Sequence, residues 1–192
     1  MSERSLFGMS GHFACMSYFL RRGYNVAVPV VDLGDDITVI RDERHELRRV
    51  QVKSGNPLQR QRFGASDVQE VRFKLSRRQL ADTGEAELYY MLMAWVWGRW
   101  SFVLLPQREL AVRKTASERR QPIRGGIPRP DHVARSDDLT LTLCFSRDAA
   151  TGSEDVTLWG DSLVEFLNCW TEDWPDLTQA ETRPAPSPPG SP

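Results

Sequence analysis

The run from Glu87 to Pro106, ELYYMLMAWVWGRWSFVLLP, constrains the fold of this chain more than any other stretch. So many aromatic and aliphatic residues in succession have to be buried. A membrane helix needs roughly 20 apolar residues without interruption, and here Gly98 and Arg99 break the run in its middle. The two halves, rich in aromatic and β-branched residues, read instead as a β-hairpin with Gly98-Arg99 near its turn. A hairpin this apolar belongs at the centre of the structure.

The flanking punctuation predicts the other elements. Ser10 is a candidate N-cap for a helix over GHFACMSYFLRRG that closes at Gly23. YNVAVPV, ITVI and LRRVQVK read as three strands, the last two an antiparallel hairpin across a short polar loop. SGNPLQRQRFGASD reads as loop, and VQEVRFKLSRRQLADTG as a short strand or a helix. The basic segment Arg108–Arg135 reads as a long binding loop, LTLTLCFS as a strand, and WGDSLVEFLNCW as a closing helix capped by Asp161. This order predicts an α/β (α+β) domain over residues 1–177, with a mixed central β-sheet flanked by helices. Residues 178–192, rich in Pro and Ser, read as a disordered tail.

Charge and cysteine usage narrow the function classes. A formal net charge of -1 favours no partner, but Arg108–Arg135 carries a basic surplus of about five. Cys15, Cys144 and Cys169 lie far apart, with neither disulfide nor zinc spacing, which points to a reducing cytoplasm. No signal peptide or membrane span is expected. Walker A, G-x-S-x-G and dinucleotide-binding glycine patterns are absent from the sequence.

One constellation carries chemistry. RRVQVKSG alternates, so Gln51 and Lys53 share one face of a strand while Val50 and Val52 take the other. Asp36 opens the neighbouring strand, and the hairpin brings it toward the pair. A carboxylate and an amide oxygen are hard ligands for Mg²⁺ or Mn²⁺, and an ammonium beside them can counter phosphate charge or handle a proton. That set suits metal-assisted phosphodiester hydrolysis. Lysine is scarce here, three among 25 basic residues, and an Arg at position 53 would stay protonated. Asp32 and Asp35 read first as turn residues. His45 and His132 read as exposed, and Trp95, Trp97 and Trp100 as core packing ahead of base stacking.

GHFACMSYFLRRGYNVAVPVVDLGDDITVI followed by RRVQVKSG resembles the core of the PD-(D/E)XK nuclease superfamily, in a restriction-endonuclease-like fold. It is most similar to the branch that holds Mrr-like restriction enzymes and small homing-endonuclease-like proteins, where Q-x-K replaces the acid-x-Lys motif. The resemblance covers roughly residues 8–55, with looser agreement in strand order to about residue 170. It implies Asp36 as the metal-binding acid, Gln51 as the second ligand, the Val52 carbonyl as a third, and Lys53 as the catalytic lysine. His12 stands where many relatives carry a helix Glu; it would ligate metal, touch phosphate or lie at the surface. Without that Glu, Asp36 is the one assigned carboxylate, with Glu43, Glu46 and Glu70 as substitutes of undecided placement.

Arg44, Arg48 and Arg49 beside the site, and Arg119, Arg120 and Arg124 in the basic segment, are the candidate phosphate contacts. The leading expectation is a Mg²⁺- or Mn²⁺-dependent nuclease, acting on DNA ahead of RNA, in bacterial defence or restriction. A homodimer or a partner subunit would serve a double-strand cut. The alternatives are a catalytically inactive nucleic-acid-binding subunit of the same fold and a protein-interaction module.

Overall fold

The computed structural model describes residues 2–30, 36–42, 46–64, 66–81, 87–120, 138–170, 173–175 and 177–178. Asp32, Asp35, Glu43, Arg44, His45, Arg124, His132 and the tail beyond Thr178 lie outside the described residues.

The chain opens with helix α1, Glu3–Leu20. Ser2 caps it, its side chain accepting the Ser5 N–H, and Glu3 sits in the first turn where the helix dipole favours an acid. The helix therefore begins well before Ser10, whose hydroxyl donates to the Phe7 carbonyl at 2.8 Å from within it. Strands β1 (Asn25–Ala27), β2 (Ile37–Arg41) and β3 (Glu46–Gly55) follow. Strands β6 (Leu88–Val96) and β7 (Arg99–Pro106) are the predicted hairpin. Trp97 and Gly98 turn it with φ of 52° and 76°, the left-handed pair that suits the strand twist of a two-residue hairpin. These five strands form one sheet in the order β1-β2-β3-β6-β7. The β3–β6 pair is parallel and the others are antiparallel, so the sheet is mixed.

A second five-stranded sheet, ordered β10-β9-β8-β5-β4, lies against the first. It contains β4 (Pro57–Phe63), β5 (Ser66–Ser76), β8 (Asp138–Asp148), β9 (Glu154–Leu158) and β10 (Asp161–Ser162). Half of the segment read as loop is thus β4. The ambiguous segment holds both a strand, β5, and a short helix, α2 (Arg77–Ala81). Much of the predicted basic loop is helix α3, Gln107–Arg120. The predicted closing helix is β10 followed by one 3-10 turn, Val164–Phe166.

The fold class is α+β, in three layers: α1, the mixed sheet, and the antiparallel sheet. Gly11, Cys15 and Phe19 of α1 are buried. Cys15 and Phe19 pack with Val50, Val52, Met91, Met93 and Trp174 on one face of the mixed sheet. On its other face Tyr90, Leu92, Ala94 and Val103 meet Val71, Phe73, Leu141 and Phe145 of the second sheet. Being covered on both sides explains why β6 reads as an unbroken apolar run. Among the described residues no helix is long and apolar enough to cross a membrane.

Candidate active site

The candidate site lies where β2 stops short of β3. Their ladder begins at the Ile37–Val50 pair, while β3 runs on to Gly55. Beyond that pair the edge of β3 has backbone groups to satisfy. Asp36 supplies the partner: its backbone N–H donates to the Val50 carbonyl at 3.1 Å, and its Oδ2 accepts the Val52 N–H at 2.7 Å. The carboxylate is therefore held against β3 at the level of Val52. A residue's N–H and C=O leave a strand on the same edge, so the Val52 carbonyl turns into the same fork.

Gln51 and Lys53 flank this point on the face that meets the second sheet, opposite to Val50 and Val52. Gln51 is only 4% exposed, and its Oε1 is buried without a hydrogen-bond partner. Such an atom costs free energy unless water, a ligand or a cation meets it. Lys53 is half-buried and makes no ion pair with another described residue. Asp36 is joined directly to Val52, and Gln51 and Lys53 are the residues on either side of Val52 along β3.

The parallel pairing adds a residue that sequence reasoning missed. Tyr90 on β6 is the register partner of Gln51, fully buried, with a hydroxyl that also lacks a hydrogen-bond partner. Burial pushes its pKa up to about 12, so its hydroxyl stays protonated and neutral on the same face of the sheet as Gln51. Nothing in the sequence marks it, because the β3–β6 pairing joins segments more than thirty residues apart.

Helix α1 covers the opposite face. Its Gly11 lets it press on β3, for a Cβ there would lie 2.0 Å from Ser54 Oγ and 3.1 Å from Trp100. Burial, and then the charge of the Asp36 carboxylate, push the Cys15 thiol of α1 well above its ordinary pKa. His12, one turn earlier, has a buried Nε2 without a partner. It stands across the sheet from Gln51 and Lys53, and no hydrogen bond joins it to Asp36 among the described residues.

The candidate phosphate contacts are scattered. Arg48 shares the face of Val50 and lies 4.7 Å above the Trp174 ring and 5.8 Å from that of Tyr89. It also donates to the Asp173 carbonyl and pairs with Glu46 at 3.8 Å, so it is built into the packing rather than turned to the fork. Arg49 is on the Gln51 face by alternation, opposite Thr38. Arg119 and Arg120 end α3, where the backbone alone is described, and α3 packs on α2 and β7. Glu70 pairs with Arg72 at 2.8 Å on β5, and Glu46 with Arg48. Trp95 and Trp100 meet edge to face at 5.3 Å, while Trp97 packs on the inter-sheet core.

Among the described residues no cluster of three His, Cys, Asp or Glu side chains is placed to hold a metal. The fork nevertheless suits a hard cation: one carboxylate, an unpartnered amide oxygen and a backbone carbonyl, with water completing the shell.

No family model matches the chain, and no curated protein matches it. Among solved structures it is similar to a bacterial homing endonuclease, I-Ssp6803I, with 22% identity and a TM-score of 0.38, over 57% of this chain and 69% of that one. A superposition that loose leaves the function of this chain to its own residues.

Proposed function

We propose that the protein is a metal-dependent nuclease that hydrolyses phosphodiester bonds, of DNA ahead of RNA, and that it is a Q-x-K variant of the PD-(D/E)XK superfamily. One observation carries the reading. The Asp36 carboxylate is fixed at 2.7 Å on the Val52 N–H, and Val52 is flanked along β3 by Gln51, whose buried oxygen has no partner, and by Lys53. Asp36, Gln51 and the Val52 carbonyl would hold Mg²⁺ or Mn²⁺. A cation there would acidify a water molecule and offset charge on the phosphate. Lys53 orients the scissile phosphate or takes part in proton transfer, which its titratable ammonium permits and a guanidinium would not. Asp36 keeps one oxygen for Val52 and offers the other to the site. Restriction or defence is the setting that such an activity fits.

A second reading has its own support. With one carboxylate at the fork and no three-residue ligand cluster among the described residues, the fold also suits a nucleic-acid-binding or partner-binding subunit that has lost catalysis. Incubation of plasmid DNA, single-stranded DNA and RNA with Mg²⁺ or Mn²⁺ separates the two. The nuclease reading expects cleavage by the wild type and loss of it in both Lys53→Ala and Asp36→Asn, with folding intact. Cleavage that survives both substitutions puts the chemistry elsewhere. A wild type that binds these nucleic acids without cutting them favours the second reading.

A further inference from the structure

Helix α1 is apolar on two opposite faces. Gly11, Cys15 and Phe19 are buried on the mixed sheet. On the far side Leu6, Met9, Phe13 and Leu20 are 57%, 48%, 60% and 53% exposed, and Met16, half-buried and also packed against the core cluster, borders the row. A surface helix of a monomer is expected to be polar there. The exposed row spans 6, 9, 13, 16 and 20, alternating steps of three and four, the seam of a two-helix pairing. Its side chains expose roughly 400 Å² of apolar surface, the size at which a patch marks an interaction site.

The row also reads alike from either end: Leu, Met, Phe, Met, Leu. A two-fold interface requires that kind of self-complementarity, since each residue meets its counterpart under the axis. We infer that α1 is a homodimer interface in which two copies of the helix pack antiparallel about Phe13. Phe13 then meets its own copy, Leu6 lies against the partner subunit's Leu20, and Met9, one residue out of register, lies beside the partner subunit's Met16. Ser10 and Ser17 line one flank and put no like charges together. The same flank brings Glu3 toward the partner subunit's Arg21, an opposite charge. Antiparallel packing also opposes the two helix dipoles.

The helix is about 27 Å long by its 18 residues. The pairing buries on the order of 1,000 Å² in total, the lower edge for a specific interface. Association in the micromolar range is therefore expected.

Sedimentation velocity of the full chain, from low to several hundred micromolar, tests this. The wild type should pass from 21.9 kDa to twice that mass. Phe13→Glu and Met9→Glu should each weaken association about 30-fold or more, as loss of a central anchor does. Their circular dichroism and melting should be unchanged, because both side chains point away from the core. Orientation is read by disulfide trapping after Cys169, the exposed cysteine, is replaced by Ser. Leu6→Cys mixed with Leu20→Cys should cross-link, while Leu6→Cys alone should not. A chain that stays monomeric, a dimer indifferent to Phe13→Glu, or self-linkage of Leu6→Cys would each overturn the inference.

Discussion

Replacing Asp36 separates its structural work from the chemistry proposed for it. Its Oδ2 accepts the Val52 N–H at 2.7 Å, a short, charge-assisted bond to a backbone donor at a residue 8% exposed. Asp36→Ala leaves that N–H without a partner beyond the end of β2. Hydrogen bonds to charged groups contribute about 1.5–3 kcal/mol, and an orphaned donor costs a similar amount, so a loss of about 2 kcal/mol is expected. For a domain of this size that lowers Tm by about 4–8 °C. Asp36→Asn keeps an oxygen in place and should lose only about 1 kcal/mol, while removing the charge a cation needs. Urea unfolding with matched m-values gives the stabilities, and nucleic-acid cleavage gives the chemistry. The expected pattern is an Asn variant nearly as stable as wild type yet inactive, and an Ala variant both inactive and less stable. An Ala variant within experimental error of wild-type stability would refute the cap, and an Asn variant with wild-type cleavage would refute the charge requirement.

Other consequences follow from packing and burial. Tyr90 holds a buried hydroxyl without a hydrogen-bond partner, so Tyr90→Phe should raise stability by about 1 kcal/mol; a loss in urea unfolding would show that the hydroxyl is bonded. Its pKa of about 12 against roughly 10 when unfolded means the native state holds this proton more tightly. Stability from this group is intact below pH 10 and falls as pH rises toward 12, and the Phe variant should show a shallower alkaline decline. Gly11→Ala would place a Cβ 2.0 Å from Ser54 Oγ and 2.9 Å from its Cβ. It should destabilise by about 1–3 kcal/mol, with partial rescue by Ser54→Gly in a double-mutant cycle. Arg48→Ala, which removes the guanidinium over Trp174, should cost about 1–2 kcal/mol and leave the salt dependence of nucleic-acid binding unchanged; a reduced salt slope would make Arg48 a phosphate contact after all.

The parts legible in the sequence are those set by local pattern. The β6–β7 hairpin followed from an apolar run broken at Gly98. The β2–β3 fork followed from alternation in RRVQVKSG and a short polar connection. Both need few residues and no distant partner. The second sheet was hidden because β5 and β8 pair across some 70 residues, and because QRQRF in β4 is too polar to read as a strand. Helix α3 was lost among the prolines and glycines that follow it. Within its described side chains it buries only Gln107 and Leu110, too narrow an apolar stripe to show a period. WGDSL looked like a capped helix start, yet Trp159 and Gly160 have φ of 54° and 86°, and they turn β9 into β10. The same Trp-Gly pair turns β6 into β7, a signal that the sequence carried twice. Tyr90 could not be found without the parallel register that puts it beside Gln51.

The most direct measurement is a Mn²⁺ titration of the isolated protein followed by electron paramagnetic resonance, since it asks for the site itself and needs no substrate or partner. The account predicts binding by the wild type and by Lys53→Ala, weaker binding by Gln51→Leu, and loss of the site in Asp36→Asn. Wild-type affinity retained in Asp36→Asn would contradict it.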